Sequence, residues 1–369
     1  MMLQMKKRIT YFDLAKGIGI ILVVLGHMEN IFEWIRIWIS SFHMPLFFII
    51  SGMLISAKNE IEVEKKAKGI LVPYFWFALI YVPIDVFNLY RNKIDLHTFI
   101  QNLLDSITFS GISVMWFLPA LFIAEVCILF IISKINTLVL KKNAYRYVIA
   151  IFVPLLVSVI SFYIWNGIRP IYDANGNSYV ITTALGFIRV ILRGLCMSFH
   201  VMTGYMMFKL MKLVEDKCTF WKTGYYIALG VIIFVINMGL CMKNGAVDNH
   251  FMTLNNLPLY YVCAFLGSMS IILICRGFGS IRFIEFLGKN SLIIMATHLQ
   301  CYILYMGILI AIAIDRYVTH AKSYIYMFNA VLFTMLIETI VIFVINKFFP
   351  FIVGKVSFKN WIQRFKPVK

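Results

Sequence analysis

The chain has 369 residues, of which 61% are apolar, 16% aromatic and only 14% charged, against about 45–50% apolar and about 25% charged in soluble domains. With a mean hydropathy of +0.85, this excludes a soluble globular protein and leaves a polytopic membrane protein. The formal net charge of +17 would suggest nucleic acid in a soluble domain, but in a membrane chain it is first read as topogenic charge.

Ten spans follow from the apolar runs, at about 11–28, 42–56, 70–90, 115–133, 146–165, 187–211, 224–242, 258–275, 291–314 and 324–349. With the N-terminus inside, 25 of the 34 lysines and arginines fall on inside segments and seven on outside segments. Arg189 and Arg193 lie within a span. This asymmetry fits both termini in the cytoplasm and accounts for the basic excess without nucleic acid. The expected fold is an all-α integral membrane protein of the cytoplasmic membrane. It forms one polytopic domain over 1–369, with no appended soluble domain and no internal repeat. Seven cysteines occur without a CxxC, so neither a disulfide framework nor a metal site is expected. The first apolar run lacks an A-x-A cleavage site and is followed by Glu29 and Asn30, so it reads as a retained span.

Ionisable residues inside spans are costly and mark functional candidates. Here they are Asp13, Lys16, His27, Asp85, Glu125, Arg189, Arg193, His200, His298 and Glu338. In the first span, Lys16 and His27 are 11 residues apart. That is almost three helical turns, which puts both on one face about 16 Å apart along the axis. Asp13 precedes Lys16 by three and shares the face. One stripe thus carries a carboxylate and a cation near the cytoplasm and an imidazole further out. The same residues also suit an interface pair and a helix-end cap.

His43 stands where the chain re-enters the membrane, two residues before Pro45, which suits the first turn of a helix. Trp116 opens the fourth span, and Ser51-Gly52 suits close helix packing. In the sixth span Arg189, Arg193 and His200 share a face; they suit a polar acceptor, an oxyanion, or an ion pair with Glu125 or Glu338. Asn290-Ser291 suits a cap at the start of the ninth helix, and His298 lies in the middle of that span.

These pieces together resemble the acyltransferase-3 family of integral membrane acyltransferases. The resemblance rests on Asp13-Leu-Ala-Lys16-Gly17, ten residues and His27; on His43-Met-Pro45-Leu-Phe-Phe with Ser51-Gly52; and on Lys65 and Lys68 before Pro73-Tyr74. Trp116-Phe-Leu-Pro119-Ala-Leu-Phe122 and Phe286-Leu-Gly288-Lys-Asn290-Ser291-Leu292, followed by His298, complete it. Their order and the ten spans agree, so the likeness extends over most of the chain. It looks closest to the fucose-4-O-acetylase-like branch, which acetylates envelope sugars. Lysine replaces the commoner arginine at Lys16, Lys65 and Lys68, and no esterase-like domain follows the tenth span.

The resemblance implies transfer of an acyl group, usually acetyl, from cytoplasmic acyl-CoA to a hydroxyl of a glycan or lipid-linked sugar. His27 is then the general base, and Asp13 holds Lys16. Lys16, Lys65 and Lys68 suit the phosphates of acetyl-CoA as point charges, although Lys65 and Lys68 equally suit positive-inside charge. His43, Trp116, Arg193, Asn290, Ser291 and His298 are candidates for lining the acyl or acceptor pocket. A transporter or flippase, and an inactive sensor or anchor of the same fold, are the competing readings.

Overall fold

The computed structural model describes residues 8–29, 31–58, 62–137, 143–217, 223–316 and 323–363. Their regular structure is helical: α1 (Thr10–Gly26), α2 (Glu33–Lys58), α3 (Val63–Tyr90), α4 (Leu96–Ile107), α5 (Phe117–Thr137), α6 (Asn143–Ala174), α7 (Tyr179–Lys217), α8 (Thr223–Asn244), α9 (Leu257–Phe278), α10 (Arg282–Lys289), α11 (Ser291–Thr297), α12 (Ile303–Ile314), α13 (Ser323–Phe348) and α14 (Phe358–Gln363). A 3-10 turn over Ser113–Trp116 leads into α5.

Among the described residues, eight helices are long and apolar enough to cross a membrane: α2, α3, α5, α6, α7, α8, α9 and α13. The expected first span is α1, of 17 residues, which reaches about 26 Å at 1.5 Å per residue. The expected ninth span, 291–314, is not continuous. It breaks into α11, which ends at Thr297, and α12, which starts after Tyr302, whose φ of 59° lies in the left-handed region. Leu304 N–H then reaches back to the His298 carbonyl at 2.8 Å. Non-helical backbone at this depth is tolerated where protein groups satisfy it.

Local chemistry sets several boundaries. Asp95 accepts from Thr98 N–H at 2.8 Å and starts α4. Asn256 accepts from Leu259 N–H at 3.0 Å, and Pro258 occupies the first turn of α9.

The chain divides into two compact units, each assembled from separated stretches. The first comprises Met1–Ile61, Ala124–Phe162 and Leu195–Ser291. In it α9 packs with α8, α2 and α1, and α1 packs on α10. Two reciprocal glycine crossings bring backbones together. A Cβ on Gly17 would fall onto the Ile284 carbonyl, and one on Gly288 onto the Asp13 carbonyl. Similarly, Gly52 faces the Val201 carbonyl and Gly204 the Ile49 carbonyl, the close approach expected at Ser51-Gly52. The second unit comprises Glu62–Ile123, Tyr163–Gly194 and Leu292–Lys369. In it α12 packs on α13, α3 meets α4, and Gly307 lies against Ala330 and Thr334.

Candidate functional site

In the first unit, the start of α1 gathers charge around one buried carboxylate. Asp13 Oδ2 accepts from Arg8 Nε at 2.5 Å, and Oδ1 accepts from Arg8 Nη2 at 3.1 Å and faces Lys16 Nζ at 2.9 Å. The spacing of three placed Lys16 correctly; Arg8, five residues earlier, was missed because it precedes the helix. The glycine crossing brings α10 here. Its Glu285 accepts from Ser280 Oγ at 2.5 Å and faces Lys289 Nζ at 3.5 Å. Asn290 follows as the C-terminal cap of α10, donating from Nδ2 to the Phe286 carbonyl at 2.9 Å, and Ser291 begins α11. The late block and the start of α1 thus share one end of this unit.

His27 ends α1 and is exposed, whereas His43, inside α2, is half-buried. The two imidazoles are near enough to act on each other through charge. His27 Nδ1 lies 2.7 Å from the Val23 carbonyl oxygen and His43 Nδ1 2.7 Å from that of Ile39. A carbonyl oxygen only accepts, so Nδ1 carries the hydrogen in each neutral ring and Nε2 is the basic nitrogen. Four residues of helix fix both tautomers.

His200 is arranged differently. Tyr260 donates its hydroxyl hydrogen to Asn249 Oδ1 at 2.5 Å, so its oxygen accepts from His200 Nε2 at 3.2 Å. Asn249 Nδ2 approaches the Ser40 carbonyl at 3.5 Å, and Val247 N–H donates to Ser40 Oγ at 3.3 Å. A relay of buried polar groups therefore ties α7 and α9 to the α8–α9 loop and to α2, one turn before His43. Glu125, also buried here, accepts from Ser51 Oγ.

The second unit holds the two arginines of α7. Arg193, fully buried, lays its guanidinium 4.8 Å from the centre of the Trp116 ring and donates from Nη2 to the Ser110 carbonyl at 3.1 Å. Arg189, also buried, lies 4.8 Å from the Tyr172 ring and 5.7 Å from Trp165. Aromatic faces stabilise such desolvated cations. Asp105 of α4 supplies counter-charge. Burial pushes its carboxyl up, while the Gln101 amide and the two guanidinia pull it down. Neither Asp105 nor Ser110 was marked by periodicity, because α4 is amphipathic and Ser110 acts through its backbone.

His298 stands at the break between α11 and α12, not at the middle of a span. Its Nδ1 lies 2.8 Å from the Ile294 carbonyl, which assigns the same tautomer as in His27 and His43. Neighbouring Thr297 donates to Glu338, with 2.8 and 2.9 Å to its two oxygens. Gln300 donates to Asp85 at 3.3 Å and Tyr302 to Asn88 Oδ1 at 2.6 Å. These bonds pin the irregular segment to α3 and α13.

Lys65 and Lys68 belong to the second unit, at the exposed start of α3, and Lys16 to the first. Lys68 pairs with Glu64 at 2.6 Å, one turn away on the same surface. Exposed pairs of this kind add little stability.

The family model of the acyltransferase-3 family, described as an acyltransferase domain, matches residues 9–353. No curated protein and no solved structure matches the chain.

Proposed function

The chain belongs to the acyltransferase-3 family, and from that premise we propose that it moves an acyl group, acetyl by preference, from cytoplasmic acyl-CoA to a hydroxyl of a cell-envelope or exported glycan. The fucose-4-O-acetylase-like branch is the nearest setting for this chemistry. The observation that carries the reading is His27, at the end of the α1 stripe that begins at Asp13 and Lys16, with its Nδ1 held by the Val23 carbonyl.

A sugar hydroxyl is a weak nucleophile at neutral pH and needs a base of histidine type. His27 Nε2 takes the hydroxyl proton as the oxygen attacks the thioester carbonyl. The tetrahedral intermediate then collapses, the carbon–sulfur bond breaks, and the departing thiolate takes the proton back from the imidazolium. The Val23 carbonyl keeps the ring in the required tautomer throughout. Lys16, steered by Asp13, meets phosphate of the donor, and Lys65 and Lys68 supply further positive charge on the same side of the membrane. His43, Trp116, Arg193, Asn290, Ser291 and His298 are the residues proposed to line the acyl and acceptor path.

The test is CoA release from acetyl-CoA by the full chain in lipid nanodiscs, with and without an envelope-glycan extract. Acceptor-stimulated release is expected, falling about 10²- to 10⁴-fold in His27→Ala. Full transfer by His27→Ala would remove the base assignment. A chain that binds acetyl-CoA but frees no thiol with any acceptor would favour a transporter.

A further inference from the structure

A cavity of about 190 Å³ opens within the first unit where the end of α5, the start of α6 and the last turns of α7 meet. It is lined by Asn136, Arg146, Tyr147, Tyr205 and Lys209. Its floor is apolar and includes Ile135 and Ala150, both buried. At about 30 Å³ per water molecule it has room for roughly six waters, enough for a phosphate group and its ester atoms. Two cations and an amide line it, and no carboxylate stands among its described lining residues.

The cations are positioned. Lys209 Nζ lies 4.4 Å above the ring of Tyr205, one turn earlier on α7. That contact holds the ammonium at the cavity mouth and leaves its donors for a ligand. Arg146 stands in the first turn of α6, where the helix dipole adds partial positive charge. Its planar fork suits two phosphate oxygens at once. The charge distribution puts this end of α5, α6 and α7 on the cytoplasmic side, among the anionic headgroups of the inner leaflet.

We infer that this cavity binds a phosphate ester, held by Arg146 and Lys209 with Asn136 and the tyrosine rings beside it. Two sources supply that chemistry on this side of the membrane: the headgroup of an anionic phospholipid and the phosphates of a nucleotide. The inference does not depend on the acyl-transfer reading, since its test measures binding alone.

The full chain is purified into nanodiscs of phosphatidylcholine, with and without phosphatidylglycerol. Retained lipid is counted by native mass spectrometry, and binding of adenosine 3′,5′-bisphosphate is followed by calorimetry. The Arg146→Gln/Lys209→Gln pair is compared with wild type. Lys209→Gln alone, at an exposed position, keeps the comparison available if the pair is poorly folded. Lys134→Gln is the control, because Lys134 stacks on Phe130 at 5.5 Å and does not line the cavity. Loss of retained phosphatidylglycerol in the pair and not in the control would establish the site and make lipid its source. A roughly tenfold weaker bisphosphate affinity, by the same comparison, would establish it with nucleotide as the source. Equal lipid retention and equal nucleotide affinity in wild type and variants would overturn the inference.

Discussion

Gly288 of α10 lies against the backbone carbonyl of Asp13 in α1, with no space for a methyl group between them. The side chain of the same Asp13 holds Arg8 and Lys16. Helix packing and the charge cluster at this end of the first unit therefore depend on one another.

Replacing Gly288 by alanine should drive α10 away from α1. Overpacking of this kind costs typically about 1–3 kcal/mol, read as a lower thermal midpoint in detergent. Gly69→Ala is the reference, since a Cβ there meets open space. Equal midpoints for the two variants would refute the contact.

Lys16→Gln should raise the KM for acyl-CoA about tenfold, the loss of one charge-assisted contact, with little change in kcat. Lys16→Arg should retain most of the affinity, and Asp13→Asn should show a weaker form of the glutamine effect by releasing Lys16. Steady-state CoA release against donor concentration separates the cases. A fall in kcat at constant KM would place Lys16 at the chemistry instead of at the donor.

Tyr260→Phe removes the hydroxyl between His200 and Asn249. Two buried polar groups then lose that partner, at a cost of about 1–3 kcal/mol. Tyr261→Phe should cost less, because its partner Ser158 keeps the Cys196 carbonyl. Denaturation midpoints of the two variants order the effects, and a larger loss for Tyr261→Phe would contradict the relay.

Trp116→Leu withdraws the ring beneath the Arg193 guanidinium and leaves a smaller apolar side chain in its place. A desolvated cation–π contact contributes about 2 kcal/mol, so the thermal midpoint should fall. Trp116→Phe, which keeps a smaller π face, should lie between leucine and wild type. An unchanged midpoint for Trp116→Leu would show that the ring does not stabilise the cation.

What the sequence displayed of this architecture was its short-range part. Charge asymmetry and apolar runs marked the long helices, and helical spacing placed Asp13 beside Lys16. The break at Tyr302 was hidden, because 291–314 is apolar enough to read as one run and a left-handed residue has no periodic signature. Arg193 over Trp116, Gly288 against Asp13 and His200 with Tyr260 were equally hidden. Each joins residues far apart in the chain, and pairing of that kind is decided by packing and not by local pattern. The histidine tautomers lay between these extremes, since each follows from a carbonyl four residues away once the helix exists.

The reciprocal glycine crossing also has a consequence for biosynthesis. Gly17 leaves the ribosome 271 residues before Gly288. At about 5–20 residues per second, α1 waits roughly 15–55 s for α10. During that interval Asp13 and Lys16 can pair with each other and α2 can pack on α1, but the crossing with α10 is still missing. The glycine face of α1 stays open to lipid or to the insertion machinery until the late helices arrive, and a translational pause before residue 282 would prolong that interval.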